Sequence, residues 1–227
     1  MKIRDCSEEY RIREFRVRRQ NAQTVLTWRF RNATHFLLFM YDSQYAFDLE
    51  EAVGQLEKAK IADARIASVK SGDQIFEKGN ERCKLFCLRE REFLKEDKCF
   101  TIPFQEIKKG IPYEIRLFAC NYDSASQELS VFRPSDPDEN LQYIPVIIQP
   151  EIQYIKKWFS KQVICILKLP TLESYTDGAI MYHVENVKAD FPLPEGCLGR
   201  ELYIAVPGRD TLSVRIREEY RNYYKKA

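Results

Sequence analysis

The sequence predicts a mainly β chain folded as two β-sandwich domains, over 1–135 and 141–227. Three observations carry the prediction. Apolar and polar residues alternate in one segment after another, the period that a half-buried strand requires. The stretch FRPSDPDENLQYIP, rich in proline and acid, breaks that alternation near the middle of the chain. The 227 residues, 44% hydrophobic and 13% aromatic, suffice for two cores of ordinary domain size.

In chain order, Leu26, Trp28 and Phe30 fall on one face of TVLTWRFR, and Thr27, Arg29 and Arg31 on the other. HFLLFMYD is apolar on both faces, which suits a central strand or one whose outer face, with Phe39 and Tyr41, meets another surface. DLEEAVGQLEKAK has helical spacing, with Leu49, Val53, Leu56 and Lys60 along one side. Asp48 and Glu51 form an acidic variant of the capping box, while Gly54 weakens the helix. This short helix lies in a long connection, about 44–80, that continues through ARIASVK to a turn at SGDQ. Strand character returns in RCKLFCLRE and KCFTIPF, separated by the charged turn FLKEDK. Tyr113, Ile115, Leu117 and Ala119 then alternate inward, and LSVFRP follows a polar turn to complete a hairpin.

DPDEN lacks the glycine and terminal glutamate of a calcium loop, so it reads as a solvated linker. Beyond it, KQVICILKLP is a buried-strand candidate, and AIMYHVENV turns Ile180, Tyr182 and Val184 inward. ELYIAV and TLSVRIRE are joined at PGRD, as in a terminal hairpin, and Tyr220, Tyr223 and Tyr224 of the tail have helical spacing that fits packing on their own domain. No long internal repeat is visible.

A tyrosine three residues after a glycine, at the mouth of a strand, suits the corner where a sandwich chain passes from one sheet to the other. Here the pattern is Ile107-x-Lys109-Gly110-Ile111-x-Tyr113, running into EIRLFACN. It resembles the fibronectin type III motif of leucine, proline, glycine, threonine and tyrosine at the same spacing, with Ala119 and Asn121 matching its strand ending. TVLTWRF, with Trp28 as core tryptophan, resembles the second strand of that family, and THFLLFMYDS the third. The resemblance covers about 10–134, departs from the motif at Lys109 and Ile111, and excludes the helical insertion. It implies a fibronectin type III-like (immunoglobulin-like) sandwich held by Tyr113, Trp28 and Gly110, and a noncatalytic interaction or scaffold role. The second half carries no comparable motif, and its sandwich rests on periodicity.

Charge and chemistry narrow the function. The 36 Lys and Arg nearly balance the 34 Asp and Glu, so the net charge of +2 gives no global attraction to nucleic acid or membrane. No run approaches the roughly 20 apolar residues of a membrane span, and no secretory signal opens the sequence. Seven cysteines, an odd number, fit reduced thiols in a reducing compartment, and a cytoplasmic, bacterial protein is the expectation. Cys83 and Cys87 share a strand face with Cys99 on the next strand, but their spacing is too loose for a zinc knuckle, so neither metal nor cofactor is expected.

No catalytic signature is present. His35 and His183 read as structural or surface residues. The first 31 residues hold nine Lys and Arg against four acids. Phe15 and Trp28 there suit the core better than a base-stacking platform, so nucleic acid is disfavoured. Arg11, Arg13, Arg29 and Arg31, with Phe39 and Tyr41, are the candidate surface for an acidic or apolar partner. The expectation is a noncatalytic interaction or scaffold subunit of a cytoplasmic assembly, with another protein or a second copy as partner. The alternatives are a carbohydrate-binding module of a secreted or surface system and an enzyme with a dispersed site.

Overall fold

The computed structural model describes residues 1–20, 23–58, 62–68, 70, 83–95, 98–156, 162–208 and 210–227. The chain divides into a first unit, Met1–Ile107 with Tyr113–Ile144, and a second, Lys108–Pro112 with Pro145–Ala227. The division falls later than the expected boundary, because the strand Leu141–Ile144 pairs with Tyr113–Arg116 of the first unit.

The first unit is a sandwich of two sheets. One contains β2 (Arg13–Gln20), β3 (Gln23–Arg29) and β6 (Cys99–Ile102), in that order. The other runs β1 (Lys2–Asp5), β8 (Glu128–Arg133), β7 (Tyr113–Asp123), β4 (His35–Asp42) and β5 (Cys83–Arg89), with β9 (Leu141–Ile144) also on β7. The alternation read in TVLTWRFR is realised. Leu26 and Trp28 are buried while Arg29 is exposed, and Trp28 lies against Phe93 at 3.9 Å and edge-on to Phe36 at 5.2 Å. Phe93 belongs to α3 (Glu90–Lys95), so the expected charged turn begins as a helix whose aromatic ring packs on the core tryptophan. Glu96 and Asp97 of that turn lie outside the described residues.

β4 is buried on both faces, for two separate reasons. Phe36, Leu38 and Met40 face the sandwich interior, while Leu37, Phe39 and Tyr41 face a layer made by the insertion. That layer contains α1 (Leu49–Lys58) and α2 (Asp63–Ser68), which seat Leu49, Ala52, Val53, Leu56 and Ile66 on the sheet. Asp48 caps α1 as expected, its carboxylate accepting the Glu51 amide at 2.7 Å. The second helix was missed in the sequence, where ARIASVK is too short to show a period. Lys60 and the SGDQ turn lie outside the described residues.

Between β6 and β7 the chain leaves one sheet for the other, through a 3₁₀ turn at Phe104–Glu106 and past Gly110 at φ +82°. Tyr113 is buried at the first position of β7, at the bend its motif implied.

The second unit repeats this wiring. β11 (Glu151–Lys156), β12 (Gln162–Lys168) and β15 (Glu201–Pro207) form one sheet. β14 (Ala189–Pro192), β13 (Ile180–Val184) and β16 (Leu212–Ile216) form the other. β10 (Val146–Ile148) pairs in parallel with β17 (Tyr224–Lys226). In both units the chain lays its strands into the two sheets in the same order, a repeat of topology that sequence similarity does not reveal.

The expected hairpin at PGRD is corrected here: β15 pairs with β12 and β16 with β13, so the turn crosses between sheets. Asp210 organises that corner. It is buried, and its Oδ1 accepts the amides of Asn186 at 2.8 Å and Thr211 at 2.9 Å. The tail is a 3₁₀ turn at Glu218–Tyr220 followed by β17, and Tyr224 fills the core of its own unit.

Candidate interaction surfaces

The surface expected from the sequence is only partly available. Phe39 is 1% exposed and Tyr41 fully buried. Tyr41 stacks on Phe47 at 5.0 Å, donates to Glu114 at 2.9 Å and accepts from Arg116 Nε at 2.8 Å. Burial pushes its phenol far above the ordinary range, and the Glu114 carboxylate adds to the shift. Both rings are therefore removed from the candidate site: the face they occupy points outward from the sheet but is roofed by the insertion.

The arginines are exposed and mostly committed. Arg11 pairs with Glu139 and, at 3.2 Å, with Glu8, which also takes Arg13, and Arg29 meets Glu14 at 3.1 Å. Among the described residues Arg31 has no ion pair. Arg11 thus tethers a turn whose residues Asp136, Pro137 and Asp138 are solvent-exposed, as expected, while its end at Asn140 is anchored in the first unit. Asn140 is 3% exposed, its Nδ2 donates to the Leu117 carbonyl at 2.9 Å, and Arg116 donates to the Pro137 carbonyl. A cavity of about 10 Å³ between Tyr10, Phe132 and Asn140 is at the lower limit for one water.

The outer face of the β2-β3-β6 sheet carries further arginines. Register places Arg16 opposite Thr27 and Arg18 opposite Val25, with Cys99 and Thr101 on the third strand. Arg16 and Arg18 are exposed, and neither has an ion pair among the described residues.

The second unit exposes the larger apolar surface. On the outer face of its β11-β12-β15 sheet, one cross-strand row is Gln153, Ile166 and Tyr203, and the next is Ile155, Ile164 and Ala205. Tyr203 is 62% exposed and Ile155 44%, with Ile164 and Ile166 half-buried between them. Glu151, Lys168 and Glu201 form the charged row at one end. Val163, Cys165 and Leu167 alternate with those isoleucines and fill the core. The expected buried strand is thus buried on one face only. Its unbroken apolar run was the available signal, since nothing in a sequence distinguishes a covered second face from an open one.

The histidines are held by their neighbours. His35 lies between the Thr34 hydroxyl at 3.0 Å and the Ala67 carbonyl at 3.2 Å, and burial lowers its pKa. His183 Nδ1 lies 2.7 Å from Asp190 and Nε2 3.6 Å from Glu185, which also accepts from Ser213 at 3.1 Å. His183 shares the outer side of β13 with Met181 but is only 5% exposed.

All seven cysteines are unbridged. Burial pushes the Cys83 and Cys87 thiols up to about 12, away from the thiolate a metal needs. Cys99 lies in the opposite sheet, and no metal-binding group of three donors occurs among the described residues.

Two sandwiches of the same strand order, the first with Tyr113 buried where the chain changes sheets, make this a mainly β protein of two β-sandwich units. No protein-family model and no curated protein matches the chain. Among solved structures it is similar to a segment of two fibronectin type III domains from chicken tenascin, at 10% identity and a TM-score of 0.31, over 90% of this chain and 82% of that one. The fold assignment rests on strand order and on the corner.

Proposed function

We propose that the chain is a noncatalytic protein-interaction module, a scaffold subunit of a cytoplasmic assembly. The observation that carries this reading is the open apolar face of Ile155, Ile164, Ile166 and Tyr203 on a rigid sheet. Contiguous exposed apolar surface on a folded domain marks a place where another surface packs, and a tyrosine beside aliphatic residues with a charged rim has the composition of such a contact. The commitments of the two histidines support the noncatalytic part. His35 joins α2 to β4, and the Ser213 hydroxyl is given to Glu185. Seven unbridged cysteines fit a reducing compartment. None of the described helices is long and apolar enough to cross a membrane.

The carbohydrate alternative finds one strongly exposed ring on this face, Tyr203, whose hydroxyl donates to Glu201 at 2.7 Å. Its neighbours are aliphatic, which suits a protein surface better than a sugar platform.

The test compares the wild-type chain with an Ile155→Ser/Tyr203→Ser variant. Native lysate capture should recover a stoichiometric partner that the variant loses while its thermal melt is unchanged. Equal recovery by both proteins, or a monomer that retains nothing, would count against the reading, and retention on a glycan array would favour the alternative.

A further inference from the structure

We infer that the outer face of the β2-β3-β6 sheet is a second docking surface, chemically distinct from the apolar one, and that it takes an acidic, extended segment of a partner protein. Arg13 and Arg29 sit directly opposite each other, and each has a carboxylate partner, Glu8, shared with Arg11, and Glu14. Arg16 and Arg18 lie farther along the same strand and face Thr27 and Val25, with no opposite charge to offset them among the described residues. Two like charges on adjacent outward positions repel each other, a cost that a bound anion removes.

Geometry selects the anion. Outward positions two residues apart on a strand are separated by about 6.7 Å, the interval between alternate side chains of any extended peptide. Carboxylates at every second position of a partner strand therefore meet Arg16 and Arg18 in register, and guanidinium–carboxylate pairs form bidentate hydrogen bonds. The Thr27 and Thr101 hydroxyls lie on the same face as further donors. Single-stranded nucleic acid fits less well. Phe15 and Trp28 of β2 and β3 are buried in the core and Phe100 of β6 lies in register with the inward Leu26, so among the described residues the face offers no ring on which a base could stack.

The experiment is fluorescence anisotropy on the full chain with a labelled peptide of alternating glutamate and threonine, at low and physiological salt. Arg16→Gln/Arg18→Gln should weaken binding by about tenfold or more and flatten the salt dependence. A glutamine–threonine peptide should not bind. Unchanged affinity in the double variant overturns the inference and leaves these arginines as guards of an edge strand. Single-stranded DNA of equal charge bound as tightly as the peptide also overturns it, since the surface would then read charge alone. Ile155→Ser/Tyr203→Ser should leave peptide affinity intact. That variant separates this inference from the reading of the apolar face, because either can fail while the other stands.

Discussion

In the first sandwich the chain passes from β6 to β7 and enters β7 at the buried Tyr113, the intervening Lys108–Pro112 belonging to the second unit, whereas in the second it passes from β15 to β16 around Asp210. One corner has a buried tyrosine ring at the mouth of its strand, and the other a buried carboxylate that gathers two backbone amides. A second contrast lies two connections earlier. β4 and β5 are joined by the insertion that roofs their outer face, while β13 and β14 are joined by a short turn over 185–188 that covers nothing comparable. Common wiring therefore fixes neither the corner chemistry nor whether the outer face of the sheet holding β4, or its counterpart holding β13, is roofed.

The comparison can be broken most forcefully at Trp28. Trp28→Ala removes a ring stacked on Phe93 and edge-on to Phe36, so the first unit should lose about 3–5 kcal/mol. Hydrogen exchange should rise through β3, β4 and β7 while β12 and β13 keep their protection. Equal loss of protection in both units would show that they do not unfold separately.

The corners come next. Asp210→Ala strips the amides of Asn186 and Thr211 of their acceptor and should cost about 1–3 kcal/mol, measured by denaturant titration. Tyr113→Phe, which loses only a hydroxyl, should cost about 1 kcal/mol. The opposite ranking would mean that the phenol, and not the carboxylate, bears the greater share of corner stability.

Gly110→Ala should cost about 1–2 kcal/mol, because φ is +82° and an added Cβ would lie 3.2 Å from the Glu173 amide nitrogen. Gly196→Ala, also at positive φ but with no atom within 4 Å, should cost less. Matching losses would remove the packing part of the argument.

The smallest effect concerns the roof. Burial lowers the His35 pKa below its ordinary value, so the unfolded chain binds the proton more readily. This contribution is complete above the ordinary histidine pKa and is lost as pH falls from there through the folded-state value. Mild acid should therefore loosen α2, seen as faster exchange in 63–68, and His35→Gln should abolish that pH dependence. An unaltered profile in the variant would assign it to another group.

Much of the first unit was legible because its signals are local. The glycine–tyrosine interval of Gly110 and Tyr113 requires a bend, Trp28 sits in a two-residue alternation, and Asp48 stands where a helix needs an acceptor. The candidate site was legible only as far as exposure can be guessed from charge. Arg11, Arg13, Arg29 and Arg31 are at the surface as their type demands, but the ion pairs of the first three depend on Glu8, Glu14 and Glu139, and Glu139 is remote in sequence. Phe39 and Tyr41 failed as surface residues because the helices that bury them come from a later connection. The open row of Ile155, Ile164 and Ile166 went unrecognised for the converse reason: an isoleucine has the same pattern whether its face is roofed or bare.

By itself the sequence determined the strands with clear alternation, such as Gln23–Arg29 and Leu212–Ile216, the helix start at Asp48 and the bend before Tyr113. Each follows from steric and hydrogen-bonding rules that act over a few residues. Tertiary structure alone decided that PGRD crosses between sheets, that Asn140 anchors the end of the 136–140 turn on β7, and that one outer face is covered while another remains open. Those outcomes depend on which distant segments compete to bury the same apolar surface, and no local pattern encodes the winner.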